Sequence, residues 1–108
     1  MSALPKACVI GHRTWKIRPY PPAKADKAKE DGSCIYATTT ILVRTDKRSG
    51  VQRANILLHE IEHAIWDEAG LAEGDSEEKI VSAVSNIRMQ VFRDNPDVID
   101  WISEKARS

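Results

Sequence analysis

Residues 57–70 read LLHEIEHAIWDEAG and place two histidines and a glutamate within an apolar helical pattern. Leucine and isoleucine recur there at spacings of three and four residues, which is typical of a helix with one buried face. His59 and His63 are four residues apart, so one helical turn brings both imidazoles to the same side. The segment therefore predicts a helix that packs on a core and presents a pair of histidines.

The same residues match the zinc-binding pattern HExxH, which has a physical basis. Imidazole rings one turn apart can each give one nitrogen to a single ion, and Glu60 reaches the same side of the helix. An ionised carboxylate beside two histidines is costly to enclose, and a divalent cation compensates that cost. We predict that His59 and His63 bind Zn²⁺ and that Glu60 is the catalytic general base.

A third ligand is expected, because catalytic zinc usually has three protein ligands. A metzincin continuation would need glycine at position 66 and histidine at position 69, where the chain has Trp66 and Ala69. The next predicted helix opens with Glu77 and Glu78. We predict Glu77, which falls on the line of that helix's apolar stripe, and keep Glu78 as the alternative ligand. Glu78 has capping-box spacing from Asp75, which explains its position without a metal ion.

Two supporting roles stay open at the level of sequence. Asp67, one turn after His63, either orients that histidine or is a surface carboxylate. An oxyanion donor could come from Tyr36, Tyr20 or His12, and the spacing does not choose among them. We expect His12 itself to be an exposed strand residue.

The remaining segments predict an α+β fold. Residues 8–18 are typical of a strand, and residues 34–44 of one long strand or a hairpin that bends near residues 37–39. Residues 19–33 are predicted to be an exposed connector. Helices are predicted from about residue 49 to a Gly70 cap, from residue 75 or 76 to 93, and from 97 to about 106 after Asn95-Pro96.

These elements predict a small, mostly antiparallel sheet of about three strands packed on the central HExxH helix. A second helix would then carry the third ligand, and a short C-terminal helix would close the domain. We expect the three tryptophans, Trp15, Trp66 and Trp101, to be core anchors.

The composition is that of a single globular domain over residues 1–108. Hydrophobic residues make up 42% and charged residues 30% of the chain, and 16 basic residues balance 16 acidic ones. The balanced charge disfavours nucleic-acid binding, and a basic group at Arg44, Lys47, Arg48 and Arg53 is interpreted as a solvated loop. We expect no membrane association, a cytoplasmic location, and reduced thiols at Cys8 and Cys34.

The order of these segments resembles a known family. The GHRTW strand, the DGSCIYATTTILV hairpin, the LLHEIEHAIW helix and the EEKIVSAVSNIRMQVFRDNP segment are similar to small zinc metallopeptidase-like proteins of phages and prophages, related to ImmA/IrrE-type gluzincins. The resemblance covers nearly all of residues 8–102 and implies zinc ligands at His59, His63 and Glu77 and a base at Glu60. The chain departs from those relatives at Glu77-Glu78-Lys79, where they usually have a Glu-Ala-Asn-like stretch.

The sequence therefore predicts a zinc-dependent peptidase, a hydrolase that acts on a protein or peptide through metal-activated water. The resemblance implies that a phage or prophage encodes it. The alternative is a metal-stabilised, non-catalytic module that binds a host or phage regulator, because so short a chain has little surface for a long substrate cleft.

Overall fold

The computed structural model describes residues 3–108, which form one four-stranded sheet and four α-helices. The strands are β1 (Ala7–Ile10), β2 (Arg13–Pro19), β3 (Gly32–Ile35) and β4 (Thr40–Val43). The helices are α1 (Pro22–Ala28), α2 (Gly50–Ala69), α3 (Glu77–Asp94) and α4 (Pro96–Ala106). The predicted α+β class is confirmed, and none of the helices in residues 3–108 combines the length and apolarity needed to cross a membrane.

The sheet has the strand order β1-β2-β4-β3. β1 pairs with β2 and β3 pairs with β4 in antiparallel fashion, while the central pair of β2 and β4 is parallel. The expectation of a mostly antiparallel sheet therefore holds for the two outer pairs, and the sheet has one strand more than expected.

The strand predicted over residues 8–18 is instead a hairpin of β1 and β2, which turns at Gly11 and His12. Gly11 has a φ of +64°, a conformation that glycine adopts without steric cost and that suits the first position of a two-residue hairpin turn. The second hairpin agrees with the sequence, since a 3₁₀ turn at Tyr36–Thr38 joins β3 to β4 near the predicted bend.

The exposed connector predicted over residues 19–33 is wrong in part, because α1 lies within it. Proline stands in the first turn of α1, where its missing N–H costs no helical hydrogen bond. The helix buries only Ala25, so it leaves no apolar period in the sequence. Lys29 ends it in the left-handed conformation, and its N–H donates to the carbonyl of Asp26 at 3.2 Å.

Helix α2 begins and ends where the sequence predicts. The Ser49 hydroxyl accepts the Gln52 N–H at 3.2 Å, and the Gln52 side chain accepts the Ser49 N–H at 2.8 Å, which forms a capping box. Gly70 closes the helix with a φ of +62°. The two caps fix the length of α2 and therefore the positions of its histidines.

Helix α3 begins one residue later than the predicted capping box requires. Ser76 is the N-cap and its hydroxyl accepts the Lys79 N–H, so Asp75 and Glu78 do not form a box. Asp75 instead accepts the Ala72 N–H at 2.6 Å and binds the Lys79 ammonium at 3.0 Å. The Asp75 carboxylate thus links the loop before α3 to the first turn of that helix.

One face of the sheet packs against α2 and α3, and α4 packs against α2. Alternate residues of the strands point to that face, as strand geometry requires, and the buried set is Cys8, Ile10, Trp15, Ile17, Ile41 and Val43. Trp101 is buried as predicted, but Trp66 is 46% exposed, so its predicted place in the core is wrong. Leu58 is also exposed. Both lie on a side of α2 that no other element covers fully.

Two side-chain amides cover the outer edge of β1. The Asn95 side chain accepts the Val9 N–H at 2.7 Å and donates to the Val9 carbonyl at 2.8 Å. Gln90 accepts the Gly11 N–H at 2.8 Å and also donates to the Val9 carbonyl at 2.9 Å. Because its backbone groups are paired in this way, the edge of β1 does not present a template for another strand.

We predict that Asn95→Ala lowers the free energy of unfolding by about 1–3 kcal/mol, because it leaves backbone groups of β1 and the end of α3 without partners. Urea unfolding followed by circular dichroism measures the change. Asn86→Ala, at an exposed position of the same helix, is the matched control and should be close to neutral. Equal midpoints for the two variants would show that the amide contributes little.

Candidate active site

His59 and His63 converge at the exposed surface of α2. Their Nε2 atoms are 3.2 Å apart, and their ring planes are inclined by 79°. Zn–N bonds of about 2.0–2.1 Å at a tetrahedral angle place two ligand nitrogens about 3.3 Å apart. The histidine pair therefore has the separation that two ligands of one zinc ion need.

Glu60 is buried between α2 and β3. The residue is only 6% exposed, and no hydrogen-bond donor among residues 3–108 contacts its carboxylate. Burial raises the pKa of Glu60, while His59 and His63 act to lower it and Glu30 adds to the rise. A carboxylate in this setting is well suited to accept a proton from a molecule in the cleft.

Ile56, one turn before Glu60, is buried on the same side of α2. Ile56 is 8% exposed, because β3 covers this side of the helix. Gly32 permits the approach, since a Cβ there would lie 2.7 Å from Oε2 of Glu60 and 2.8 Å from Cγ2 of Ile56. Any larger residue in β3 would force the strand and the carboxylate apart.

The cleft between the histidine pair and β3 has a volume of about 240 Å³. It is lined by the three motif residues together with Glu30, Gly32, Ser33, Cys34 and Tyr36. Glu30 was not predicted as a site residue, because it lies in the segment 19–33 that was predicted to be a connector. Nothing in the local sequence pattern shows that α1 brings Glu30 to the site. Tyr36 is the oxyanion candidate that lines this cleft, whereas the Tyr20 hydroxyl donates to Glu30 and His12 lies exposed in the β1–β2 turn.

Cys34 and Tyr36 both line the cleft, and both are protonated at neutral pH. Burial raises the pKa of the Cys34 thiol to about 11, and burial also raises the pKa of the Tyr36 phenol. Cys34 is a free thiol, as predicted, and so is Cys8. At neutral pH Cys34 is therefore no thiolate nucleophile, and Tyr36 retains a proton to donate.

Asp67 binds Arg13 and no histidine among the described residues. Its carboxylate is 2.5 Å from Nη2 of Arg13, whose guanidinium also binds Glu68. The same guanidinium lies 5.3 Å from the centroid of the Trp15 ring, and Trp15 meets Tyr36 edge to face at 6.2 Å. These contacts tie the end of α2 to the turn that holds Tyr36.

Glu77 and Glu78 are exposed in the first turn of α3, and neither lines the cleft. Glu78 accepts the Ser82 hydroxyl at 3.3 Å. Within residues 3–108, no three His, Cys, Asp or Glu side chains are grouped so that they could hold a metal ion. The structure thus brings His59, Glu60 and His63 together and leaves both predicted third ligands outside.

Two of the four residues in the basic group, Arg44 and Arg48, are paired with carboxylates, and the interpretation as a solvated loop is wrong for Arg44. Arg44 is buried and binds Asp26 at 2.6 Å and Asp46 at 2.7 Å, and Arg48 binds Asp31 at 2.6 Å. Guanidinium groups held in this way are poorly placed to collect phosphates.

No protein-family model, curated protein or solved structure matches this chain. We therefore argue its function from the geometry of the site.

We predict that Gly32→Ala destabilises the protein by about 1–3 kcal/mol, because the new methyl group overpacks the contact between β3 and Glu60. Thermal and urea unfolding measure the loss. A double-mutant cycle with Glu60→Ala provides the control: removal of the carboxylate should relieve part of the strain, so the two changes should cost less together than their sum. Additive effects would show that the clash with Glu60 is not the cause.

Proposed function

We propose that this protein is a zinc-dependent peptidase that hydrolyses a peptide bond in the cleft between α2 and β3. The observation on which the proposal rests is the separation of 3.2 Å between the Nε2 atoms of His59 and His63, at a cleft that the Glu60 carboxylate also lines. Two convergent imidazoles beside a buried carboxylate are the parts that metal-assisted hydrolysis requires.

His59 and His63 would hold the zinc ion through their Nε2 atoms. Glu77 is proposed as the third ligand, with Glu78 as the alternative, and either would need to approach the pair more closely than it does in this structure. A bound zinc ion would supply a Lewis acid for the scissile carbonyl and would lower the pKa of water in the cleft.

Glu60 would act as general base and then as general acid. Its carboxylate would take a proton from the water that attacks the carbonyl carbon, and would pass that proton to the amine that leaves. Two features support this role: the carboxylate lines the cleft, and no side-chain or backbone donor of residues 3–108 occupies it. Burial raises the pKa of Glu60, which makes its carboxylate a better proton acceptor.

Tyr36 is proposed to donate a hydrogen bond to the carbonyl oxygen as negative charge develops on it. The phenol lines the cleft, and its raised pKa keeps it protonated. Its contact with Trp15, which is fully buried, supports the ring from the side of the core. A donor held in place before reaction stabilises the transition state more than the ground state.

An extended peptide is the substrate that the sheet favours. β3 is an edge strand and its residues 32–34 line the cleft, whereas Asn95 and Gln90 cover the opposite edge at β1. A peptide added beside β3 would gain main-chain hydrogen bonds and would lie next to the histidine pair.

The second candidate is the non-catalytic binding module. Large apolar side chains are exposed on the outer faces of α2 and α3, namely Leu58, Trp66, Val81, Met89 and Phe92. A surface of this kind is typical of protein-binding sites. In that case the protein would bind its partner equally well with glutamine at position 60.

We predict that the purified protein binds one equivalent of zinc and that His59→Ala and His63→Ala abolish this binding. Elemental analysis after dialysis against excess zinc measures it, and His12→Ala, which changes a histidine outside the cleft, should bind as the wild type does. Glu77→Ala should weaken zinc binding more than Glu78→Ala. Zinc-free protein under these conditions would contradict the metal site.

We predict that Glu60→Gln keeps zinc and loses peptide hydrolysis by at least about 100-fold, because the amide cannot accept the proton. Tyr36→Phe, which removes only the hydroxyl, should reduce kcat with a smaller change in KM. Rates on a mixture of unstructured peptides, analysed by mass spectrometry, provide the measurement. Full hydrolysis by Glu60→Gln would rule out the base.

A further inference from the structure

The active-site cleft continues past His59 into a second cavity of about 310 Å³. We call it the acidic pocket and define it by Glu30, Asp31, Asn55 and Ile56, which line it together with Gly32 and the two motif residues His59 and Glu60. The pocket therefore borders the place where the scissile bond would lie in the proposed peptidase.

Negative charge in this pocket exceeds the positive charge that the protein supplies. Asp31 is paired with Arg48 at 2.6 Å. Glu30 receives only a neutral donor, the Tyr20 hydroxyl at 2.8 Å, and Glu60 is nine-tenths buried without any donor among residues 3–108. Two carboxylates therefore face the cavity without a cationic partner in the part of the chain that the structure describes.

The position of Glu30 is fixed by the end of α1. The Glu30 N–H donates to the Ala25 carbonyl at 3.1 Å, in the turn that Lys29 makes with a φ of +58°. Ala25 is fully buried, so this turn is anchored in the domain. The Tyr20 hydroxyl then holds one carboxylate oxygen of Glu30 and leaves the other for a ligand.

One wall of the pocket is apolar. Ile56 is buried against β3, and Gly32 adds bare backbone beside it. A ligand that fits has a cationic head for the carboxylates and an aliphatic stem for this wall. Lysine and arginine side chains have both parts, and a free α-amino group has the head alone.

We propose that the acidic pocket binds a cationic group of the substrate next to the scissile bond and gives the peptidase a preference for lysine or arginine at that position. The inference rests on the proposed function for its biological meaning. Its physical content, the binding of a cation, can be tested without catalysis.

The test compares two blocked pentapeptides, acetyl-Ala-Ala-Lys-Ala-Ala-amide and the same peptide with norleucine in place of lysine. Binding to the zinc-supplemented protein is followed by NMR titration. We expect the lysine peptide to bind about 5- to 20-fold more tightly, and added salt to reduce the difference. Equal affinities would overturn the proposal.

Glu30→Gln is the diagnostic variant, because glutamine retains an acceptor for the Tyr20 hydroxyl and loses the charge. It should remove most of the preference for lysine. Asp100→Asn, which removes one charge from an exposed position of α4, is the matched control and should leave the preference intact. A preference that survives Glu30→Gln would contradict the assignment to this pocket.

Two further arms separate the possible outcomes. A norleucine peptide with a free N-terminus tests the α-amino group as the source of the cation: tighter binding of that peptide than of the lysine peptide would overturn the side-chain assignment. Cleavage assays on the same peptides separate the two proposals. Lysine-selective binding without hydrolysis would support the pocket and count against the peptidase, whereas hydrolysis without lysine preference would do the reverse.

Discussion

The contact between Gly32 and Glu60 is the constraint on which the rest of the site depends. A carboxylate is placed between a helix and a strand, and the strand can approach because it has a hydrogen atom where other residues have a Cβ. Burial of an unpaired charge costs free energy, so this arrangement is not a device for stability. The burial of Glu60 is explained if a ligand in the cleft forms the interactions with its carboxylate that the protein itself does not provide.

The two edges of the sheet are treated differently, and the difference supports the same interpretation. At β1 the amides of Asn95 and Gln90 satisfy the outer backbone groups from α3 and from its junction with α4. At β3, the other edge strand, residues 32–34 line the cleft. Edge strands recruit other chains unless they are covered. The proposed pairing of an extended substrate therefore has one edge open to it, the edge at β3.

The sequence predicted those parts of the fold that have a strong local signal. Ser49 and Gly70 mark the ends of α2, and HExxH identifies the histidine pair, because capping and helical periodicity depend on neighbours in the chain. The burial of Glu60 and the role of Glu30 could not be predicted in this way. Both depend on where β3 and α1 lie in space, and α1 buries a single alanine that leaves no periodic pattern. Trp66 was misplaced because the size of a side chain does not show which side of a helix is covered.

Glu77 and Glu78, the first two residues of α3, point in different directions from the helix axis. Val84 and Val91 are its buried residues, and Glu77 lies seven residues before Val84, almost in line with them after two turns. Glu78 is rotated from that line by about 100° and already accepts the Ser82 hydroxyl. Glu77 therefore faces the side of α3 that packs on the domain, at a point where the core has ended. The phase of α3 is the one that the apolar stripe in the sequence indicates, and neither glutamate joins the histidine pair in a group that could hold a metal ion within residues 3–108.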